Sequence, residues 1–342
     1  MEHYDVIIVG GGPGGLHCAN FLARANKKVL LLEKNQEIGP KVCAGGLSYG
    51  CLKYLHLPSQ YIEKEFKEIL ISTPRQRRVV HSPYPIIATV SRRELAQWQL
   101  KNLAGLNIEI KTSSLVTEIQ ENYLVVNGSI KYSFDFLVGA DGSNSTVRRF
   151  LNLSIDNFGL AIQYIIPSEK YKNLELFYDV TRFKAWPFWI LPHKNYVSVG
   201  CGTNPKIFSA SQLKNNFNFW LKHKNIDVSV GEFQSFTINN NYQGYKFGNK
   251  YLIGDAAGLA SYFTGEGIYQ ALVSGEIIAK EIISKKDGMV ELEGINKKNV
   301  KHYWAATIII KFSIFRNLVI DLILFLMRSK TIARYVIDFC FR

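Results

Sequence analysis

Residues 4–34 read YDVIIVGGGPGGLHCANFLARANKKVLLLEK and decide the fold of this chain. Asp5–Val9 is a run of apolar and β-branched residues, which is typical of a strand buried on both faces of a parallel sheet. A helix is predicted to begin near Pro13, and Val29–Leu32 reads as a second strand. The order strand, glycine turn, helix, strand predicts the first unit of a Rossmann-type sheet.

Three glycines in the first turn indicate a nucleotide site. Gly10 allows the tight turn, Gly12 lets a pyrophosphate approach the backbone, and Gly15 lets the helix pack close to the strand. The helix N-terminus offers free N–H groups and the positive end of its dipole to phosphates. Glu33 closes the second strand, where an acid can accept hydrogen bonds from ribose hydroxyls. This unit predicts binding of an ADP moiety and leaves FAD and NAD(P) both open.

The composition favours a globular protein with an anionic partner. Of the 342 residues, 47% are hydrophobic and 20% charged, which suits one large or two modest domains. A strand at residue 4 leaves no room for a signal peptide, so we expect a cytoplasmic protein that can lie at the inner face of the membrane. The net charge of +13 favours an anionic partner, such as membrane phospholipid, nucleic acid or a phosphorylated substrate, with a lysine-rich solvated surface as the alternative. Among these partners we expect no nucleic acid.

Cysteine and histidine usage gives no sign of a metal or disulfide framework. The five cysteines are odd in number and have no paired spacing, which fits a reducing compartment. Neither C-x-x-C nor H-E-x-x-H occurs, and the seven histidines are scattered. We therefore expect no metal site.

Two buried strands beyond the first unit end in acids. Asp141 and Gly142 follow one of them, and Asp255 follows the other. An acid at the carboxyl end of a central strand lies at the rim of the nucleotide crevice, where it can accept hydrogen bonds from a ribityl chain. Gly267 and Ile268 then open a helix whose N-terminus can stabilise negative charge on a reduced flavin. These additions predict a dinucleotide that extends well beyond ADP, which favours FAD over NAD.

Rossmann-type and sheet-rich segments alternate along the chain. We predict an α/β protein in which a Rossmann-type FAD-binding domain is interleaved with a mostly antiparallel β-sheet substrate domain and followed by C-terminal helices. The predicted FAD-binding pieces are residues 1–66, 90–155 and 246–285; the substrate domain takes 67–89 and 156–245; and the helical segment takes 286–342. Within the second piece, a hairpin is predicted at 123–132 and a separate buried strand at 134–140.

The chain from Trp304 onward is both apolar and basic. Its longest uninterrupted apolar run, Leu322–Met327, is far shorter than the roughly 20 residues that a membrane-spanning helix needs. Residues 301–342 hold seven Lys or Arg and two Asp. We predict two or three amphipathic helices here. They either cover the apolar side of the substrate domain or make peripheral membrane contact through residues 304–342.

Three motifs in this order resemble the p-hydroxybenzoate hydroxylase superfamily of flavoproteins: GGGPGG at 10–15, DG at 141–142 and GD at 254–255. KVCAGGL at 41–47 is similar to the K-x-C-G-G-x-L loop of geranylgeranyl reductases, and residues 90–98 are similar to that family's V-x-R-x-x-F-D segment. The resemblance implies an FAD cofactor and reduction of isolated C=C bonds in prenyl chains of lipids, chlorophyll precursors or quinones.

The motifs and the resemblance together imply a set of cofactor contacts. Arg92 is implied near the flavin, and Cys43 lies in the loop expected at the isoalloxazine ring. Cys43 is the candidate catalytic residue, as a proton donor, with ordinary packing as the alternative. The full set of expected cofactor-binding residues is Gly10, Gly12, Pro13, Gly14, Gly15, Glu33, Lys34, Lys41, Cys43, Ala44, Arg92, Val116, Asp141, Gly142, Asp255, Gly265, Gly267 and Ile268.

The substrate end departs from the family pattern. The reductases carry Y-x-W-x-F-P on the substrate sheet, whereas residues 187–192 read PFWILP, with Pro187 and Leu191 in place of Tyr and Phe. Ala44 also replaces a glycine in the loop. An apolar tunnel would suit a prenyl substrate, although aromatic residues are common in any core. The expected substrate contacts are Phe188, Trp189, Tyr262 and Phe263.

Three functions follow from this reading. The first is an FAD-dependent oxidoreductase that transfers a hydride from reduced flavin to a C=C bond of a lipophilic, isoprenoid substrate, with NAD(P)H or another reductant as electron donor. The second is a flavin monooxygenase that hydroxylates a small aromatic or lipophilic molecule. The third is a non-catalytic flavin-binding redox sensor.

Overall fold

The computed structural model describes residues 1–284, 288–311 and 316–341. Residue 285, the predicted end of the FAD-binding pieces, lies outside the described residues, as do 286–287, 312–315 and 342 of the predicted helical segment. The strands are β1 (Glu2–Val9), β2 (Val29–Leu32), β3 (Gly46–Ser48), β4 (Lys64–Phe66), β5 (Glu68–Ser72), β6 (Arg77–His81), β7 (Ile87–Thr89), β8 (Ile108–Lys111), β9 (Val116–Ile119), β10 (Tyr123–Val126), β11 (Ile130–Gly139), β12 (Phe158–Pro167), β13 (Glu175–Phe177), β14 (Phe188–Pro192), β15 (Tyr196–Thr203), β16 (Glu232–Asn239), β17 (Lys246–Phe247) and β18 (Lys250–Leu252). The helices are α1 (Pro13–Arg24), α2 (Tyr49–Leu55), α3 (Arg92–Lys101), α4 (Thr146–Phe150), α5 (Val180–Phe183), α6 (Ala210–His223), α7 (Gly254–Ala257), α8 (Ile268–Ser284), α9 (Met289–Lys311), α10 (Arg316–Leu326) and α11 (Lys330–Phe341).

The largest sheet carries the glycine turn. Its strands run in the order β17-β18-β11-β1-β2-β8, with β10 and β9 added beside β11. The pairs of β1 with β2 and β11, of β2 with β8, and of β11 with β18 are all parallel. Because parallel strands share one direction, the carboxyl ends of β1, β2, β11 and β18 meet at one edge. The predicted Rossmann-type α/β fold is confirmed.

One strand of this sheet differs from the prediction. We predicted a hairpin at 123–132 followed by a separate strand at 134–140. The structure has instead a single ten-residue strand, β11, which pairs antiparallel with β10 and parallel with β1. No glycine or proline interrupts residues 130–138, so the second arm of the hairpin continues directly into the central strand. One strand therefore connects the edge hairpin to the nucleotide edge.

A second, mostly antiparallel sheet stands over that edge. Its order is β16-β12-β15-β14-β13-β5-β6, and the pairing of β13 with β5 is its parallel exception. One face is covered by α6, whose Phe217 and Trp220 are buried there. The strand β16 was not predicted from the sequence. A small third sheet, β3-β7-β4, links the loop at 41–47 to α2.

The C-terminal helices pack against the other side of the second sheet. Ala306 and Ile309 on α9, Leu324 on α10 and Ile337 on α11 join a buried cluster with Val80 of β6. This is the covering role that the sequence left as one of two alternatives. Among the described residues, no helix combines the length and the apolar character that crossing a bilayer requires.

Candidate functional site

The glycine turn builds a crevice at the edge of the large sheet. A Cβ on Gly15 would lie 2.1 Å from the carbonyl oxygen of Gly10, so the close contact of helix and strand needs a glycine there. Gly12 differs, because a Cβ there would meet its nearest protein atom, the Ala140 oxygen, only at 4.0 Å. Gly12 is also the N-cap of α1 and has no side-chain cap. The space beside Gly12 and the free N–H groups of α1 are therefore available to an anionic ligand.

Positive charge collects in the same place, which we call the cofactor crevice. It is bordered by Gly12–Gly15, Lys41 and Arg92 and, on its far side, by Asp255 and Gly267. The Nε of Arg92 is buried and has no hydrogen-bond partner in the described part of the chain. A buried, unpaired guanidinium N–H is costly, so this position suits a ligand with anionic oxygens.

Glu33 lies at the carboxyl end of β2, beside the glycine turn. Its Oε2 accepts from the Gly11 N–H at 2.8 Å and its Oε1 from the Asn35 N–H at 2.9 Å. These bonds orient the carboxylate and leave lone pairs on both oxygens for ribose hydroxyls. Lys34 is exposed next to it. Val116 begins β9 near this point, but its side chain is 5% exposed and belongs to the hydrophobic core, so that side chain serves packing.

Asp141 follows the carboxyl end of β11, and its side chain turns towards the start of α4. Its Oδ1 accepts from the Ser145 hydroxyl at 2.5 Å, and its Oδ2 accepts from the backbone N–H groups of Thr146 at 2.6 Å and Val147 at 3.3 Å. Burial raises the pKa of the Asp141 carboxyl, and these hydrogen bonds oppose that rise. The side chain thus holds the start of α4, while its neighbour Gly142 borders the crevice. Three hydrogen bonds from the turn hold the Asp141 carboxylate, and its contact with the cofactor stays a prediction.

Asp255 points into the crevice from the short helix α7. Its Oδ2 accepts from the Ser143 hydroxyl at 3.0 Å, and Lys41 Nζ lies 3.9 Å from the same oxygen. Lys41 is half exposed, so this ion pair is weak and its ammonium can turn to a ligand. A Cβ on Gly267 would lie 2.8 Å from Asp255 Oδ1. The carboxylate therefore lies directly beside the segment that opens α8.

The loop at 41–47, which carries Cys43 and Ala44, is held from the second sheet. His193 is fully buried, and its Nε2 lies 2.8 Å from the Ala44 carbonyl oxygen, which can only accept. Its Nδ1 lies 2.5 Å from Glu63 Oε2. Gln163 donates from Nε2 to the Cys43 carbonyl at 3.2 Å. The sequence analysis did not single out His193 or Gln163, because they lie more than 100 residues from the loop that they position.

A second, apolar cavity of about 230 Å³ adjoins the crevice. We call it the apolar cavity. The two spaces share Cys43, Phe236, Ile238, Gly265, Gly267 and Ile268 as wall residues. The rest of the apolar lining comes from the second sheet, the loop at 261–267 and the end of α11, and includes Leu174, Leu176, Trp186, Trp189, Leu191, Tyr262, Phe263 and Phe341. A molecule in the apolar cavity would therefore lie against whatever fills this end of the crevice.

Three of the four predicted substrate residues border this cavity, and one does not. Trp189 fits because Gly200, opposite on β15, leaves room; a Cβ there would lie 2.3 Å from the indole ring. Tyr262 and Phe263 border the cavity from their loop. The prediction for Phe188 is wrong, because successive residues of β14 point to opposite faces. Phe188 is buried beneath α6, against Phe217 and Trp220.

The sequence analysis also missed residues at the polar edge of the cavity. Ser48 and Glu266 meet there, and the Ser48 hydroxyl donates to Glu266 Oε1. A signal was present, since Glu266 is an acid between two predicted cofactor-binding residues, Gly265 and Gly267. Phe341 had no such signal, because only tertiary packing brings α11 to the cavity.

Exposed ligand-type side chains occur at the opposite end of β1. His3, Asp5 and Asp135 bring potential ligand atoms within 4.8 Å of one another. His3 and Asp135 are more than half exposed, and the Asp5 carboxylate already accepts from the Lys28 N–H at 2.9 Å. Such exposed acidic groups are common without an ion, and this cluster is remote from the crevice.

Comparison with known proteins agrees with this geometry. The FAD binding domain family matches residues 3–283. A digeranylgeranylglycerophospholipid reductase of Thermoplasma acidophilum is 29% identical over 324 residues, covering 84% of this chain and 80% of that protein. The resemblance to geranylgeranyl reductases is confirmed.

Two crystal structures share the fold. A geranylgeranyl bacteriochlorophyll reductase-like protein from Thermoplasma acidophilum has a TM-score of 0.74 at 23% identity, covering 99% of this chain and 91% of that one. The p-nitrophenol 4-monooxygenase PnpA of Pseudomonas putida has a TM-score of 0.76 at 17% identity, covering 98% and 97%. The family match covers most of the chain, and the cofactor crevice lies within it. We conclude that this chain belongs to the FAD binding domain family and is an FAD-dependent oxidoreductase with geranylgeranyl reductases among its relatives.

Proposed function

We propose that the protein saturates C=C bonds in an isoprenoid chain. The observation that carries this proposal is the shared wall between the cofactor crevice and an apolar cavity lined largely by aliphatic and aromatic side chains. FAD, when bound and reduced, supplies a hydride. The likeness to reductases of geranylgeranyl-bearing lipids supports a prenyl chain as the group in the cavity.

The contribution of the chain to this reaction is positioning and exclusion of water. An isolated alkene has no adjacent carbonyl to stabilise charge, so the two reacting partners must be held in contact. The network from Trp189 Nε1 through the Ser198 hydroxyl to Gln163, each step 3.0 Å, ties the cavity wall to the Cys43 carbonyl. Trp186 Nε1 donates to the Tyr262 carbonyl at 2.7 Å and fixes the opposite wall. Hydrogen bonds therefore orient Trp189 and Trp186 in the cavity lining.

We also propose that the C-terminal helices meet an anionic phospholipid membrane. Leu318, Leu322 and Phe325 recur along one face of α10 and are 49–57% exposed, and Arg328 follows the helix. Helices that combine an apolar face with basic residues bind anionic interfaces. Phe341, at the end of α11, borders the apolar cavity, so the C-terminal helices also reach the space in which we propose that the prenyl chain binds. Sedimentation with anionic phospholipid vesicles tests this proposal.

Each saturated bond consumes two electrons, so the flavin must be recharged. We propose NAD(P)H or another reductant as the donor. Anaerobic mixing of the oxidised holoenzyme with NADPH, NADH and dithionite, followed by the flavin absorbance, tests which donor is used. If dithionite bleaches the flavin absorbance but neither NADPH nor NADH does, the electrons come from another donor, such as a redox protein.

The main test is anaerobic turnover with a geranylgeranyl-bearing lipid and reduced enzyme. We expect products that have gained two hydrogen atoms for each C=C bond, identified by mass spectrometry, and no requirement for oxygen. A product that has gained one oxygen atom, with stoichiometric oxygen uptake, would assign the protein to the monooxygenases. A flavin that is reduced and reoxidised with no change in any prenyl or aromatic compound would favour the redox sensor.

A further inference from the structure

Glu266 is an acid in the wall of an otherwise apolar cavity. It lies between Gly265 and Gly267, both of which border the cofactor crevice as well as the apolar cavity. Its backbone is fixed on both sides: its N–H donates to Thr264 Oγ1 at 3.3 Å, and its carbonyl accepts from the Ser261 N–H at 2.8 Å. The carboxyl is thus held at the junction of the two spaces.

One oxygen of this carboxyl is anchored and the other is available. The Ser48 hydroxyl donates to Oε1, and Ser48 is itself fixed as the N-cap of α2, where it accepts from the Cys51 N–H at 3.4 Å. Oε2 has no hydrogen-bond partner within the described ranges 1–284, 288–311 and 316–341. An anchored carboxyl with a free second oxygen has the arrangement required of a proton donor to a bound molecule.

The surroundings of this carboxyl favour its neutral form. Burial raises the pKa of Glu266 and outweighs the hydrogen bond from Ser48 and the attraction of Lys298 on α9, which both lower it. The thiol of Cys51 and the phenol of Tyr269 also face it, and burial raises the pKa of each, so both stay uncharged near neutral pH. Glu266 therefore keeps its proton at a pH where an exposed glutamate is ionised.

We propose that Glu266 is the catalytic acid that protonates the alkene in the apolar cavity, with Ser48 as its positioning residue. This role rests on the proposed function. The alkene π pair is replaced by two C–H bonds: one carbon takes the hydride that the reduced cofactor supplies, and the other takes the Glu266 proton. The alkene is reduced, the flavin is oxidised, and NAD(P)H or another reductant restores it. The Glu266 carboxylate regains its proton from water, and Cys43 keeps a packing role.

The experiment compares the full-length, flavin-loaded protein with Glu266→Gln, which can still accept from Ser48, and with Glu65→Gln, an exposed control on β4. Infrared spectra across a pH titration measure protonated carboxyl groups without any turnover. We expect a carboxylic acid band that persists at neutral pH in the wild type and in Glu65→Gln and is absent from Glu266→Gln. We also expect prenyl saturation to fall roughly 10²–10⁴-fold in Glu266→Gln and to be unchanged in Glu65→Gln.

Two results would overturn the donor role alone: an active wild type that lacks this band, or a Glu266→Gln variant that saturates the prenyl chain at the wild-type rate. A Cys43→Ser variant that loses the activity while Glu266→Gln retains it would assign the proton to the thiol instead. If the wild type saturates no C=C bond in any prenyl compound, the proposed function fails and the donor role fails with it, whatever the band shows. The flavin absorbance of each variant shows whether it is folded and loaded.

Discussion

The cofactor crevice and the apolar cavity share a wall but are built differently. The crevice is lined mostly by short stretches of the chain in which glycine recurs, at residues 12–15, 140–142, 253–255 and 265–268, together with residues 41–43, Arg92 and part of β16. The cavity is made of side chains from strands far apart in the chain and from the last turn of α11. Backbone geometry tolerates little change, whereas side chains on a fixed sheet can be exchanged. The same fold occurs in a geranylgeranyl bacteriochlorophyll reductase-like protein and in a p-nitrophenol 4-monooxygenase, so the fold by itself does not fix the function.

The largest effect is expected in the crevice, from Gly15→Ala. The new Cβ would lie 2.1 Å from the Gly10 oxygen, a backbone atom that cannot move without opening the turn. We expect the free energy of unfolding to fall by about 3 kcal/mol or more and bound flavin to be lost. Denaturant unfolding and the flavin absorbance of the purified protein measure both.

Gly294→Ala on α9 is the matched control, since a Cβ there meets no atom within 4 Å. Replacing a glycine inside a helix is expected to raise stability by about 0.5–1 kcal/mol. A Gly15→Ala protein that is as stable and as yellow as the wild type would contradict the distinction between the two regions.

The next effect is expected in the cavity, from Leu176→Trp. Leu176 borders the cavity from β13, so a larger side chain would fill part of the space in which we propose that the substrate binds. We expect kcat/KM for a prenyl substrate to fall about 10–100-fold while flavin content stays at the wild-type level. Leu176→Met, which conserves volume, is expected to change the rate less than about threefold. Loss of flavin in Leu176→Trp would mean that the two regions are not separable.

A smaller effect is expected at the exposed face of α10. Leu322 and Phe325 are 57% and 51% exposed. Replacing both with Glu removes roughly 1 kcal/mol of apolar burial in the membrane interface for each side chain. The new carboxylates are also repelled by anionic phospholipid, so binding to anionic vesicles should weaken at least about tenfold. Val79→Glu with Val230→Glu adds the same charge at exposed positions outside the C-terminal helices. If both double variants bind the vesicles equally weakly, the loss of binding comes from the added charge and not from the apolar face of α10.

The smallest effect is a pH dependence at the cavity wall. His302 on α9 is buried between the Ser261 hydroxyl, 2.8 Å from Nδ1, and the Phe339 carbonyl oxygen, 2.9 Å from Nε2. Burial lowers the pKa of His302, and the positive charge of Lys298 lowers it further. The hydrogen bond to the Phe339 carbonyl raises the pKa but does not outweigh these two effects. The folded state disfavours protonation of His302, so its pKa in the folded protein lies below the ordinary pKa of histidine in the unfolded chain. The stability that neutral His302 contributes is therefore present above the ordinary pKa and is lost as the pH falls through the pKa of the folded state.

We therefore expect the difference in free energy of unfolding between the wild type and His302→Gln to shrink on acidification below roughly pH 6.5, the ordinary histidine value. Denaturant unfolding across pH measures it. His3→Gln, at an exposed position, serves as the control. A difference that grows on acidification would mean that His302 is charged in the folded protein.

Much of the crevice could be predicted from the sequence, because a glycine turn followed by a helix fixes its own local geometry. The spacing of Gly10, Gly12 and Gly15 matches their packing, and Asp255 lies where a strand-end acid was expected. Asp141 shows the limit of this reasoning. Its type and place in the chain were read correctly, but whether its carboxylate faces a ligand or caps a helix depends on a turn four to six residues later.

The sequence by itself determined the cofactor anchor, because the first strand, the glycine turn and the helix that build it follow one another in the chain. Only the tertiary structure decided the substrate side. It turned Phe188 under α6, brought His193 to the Ala44 carbonyl, closed the cavity with Phe341, and joined Ser48 to Glu266 across 218 residues. The physical reason is that these contacts come from the packing of separate elements, which no local pattern of residues records.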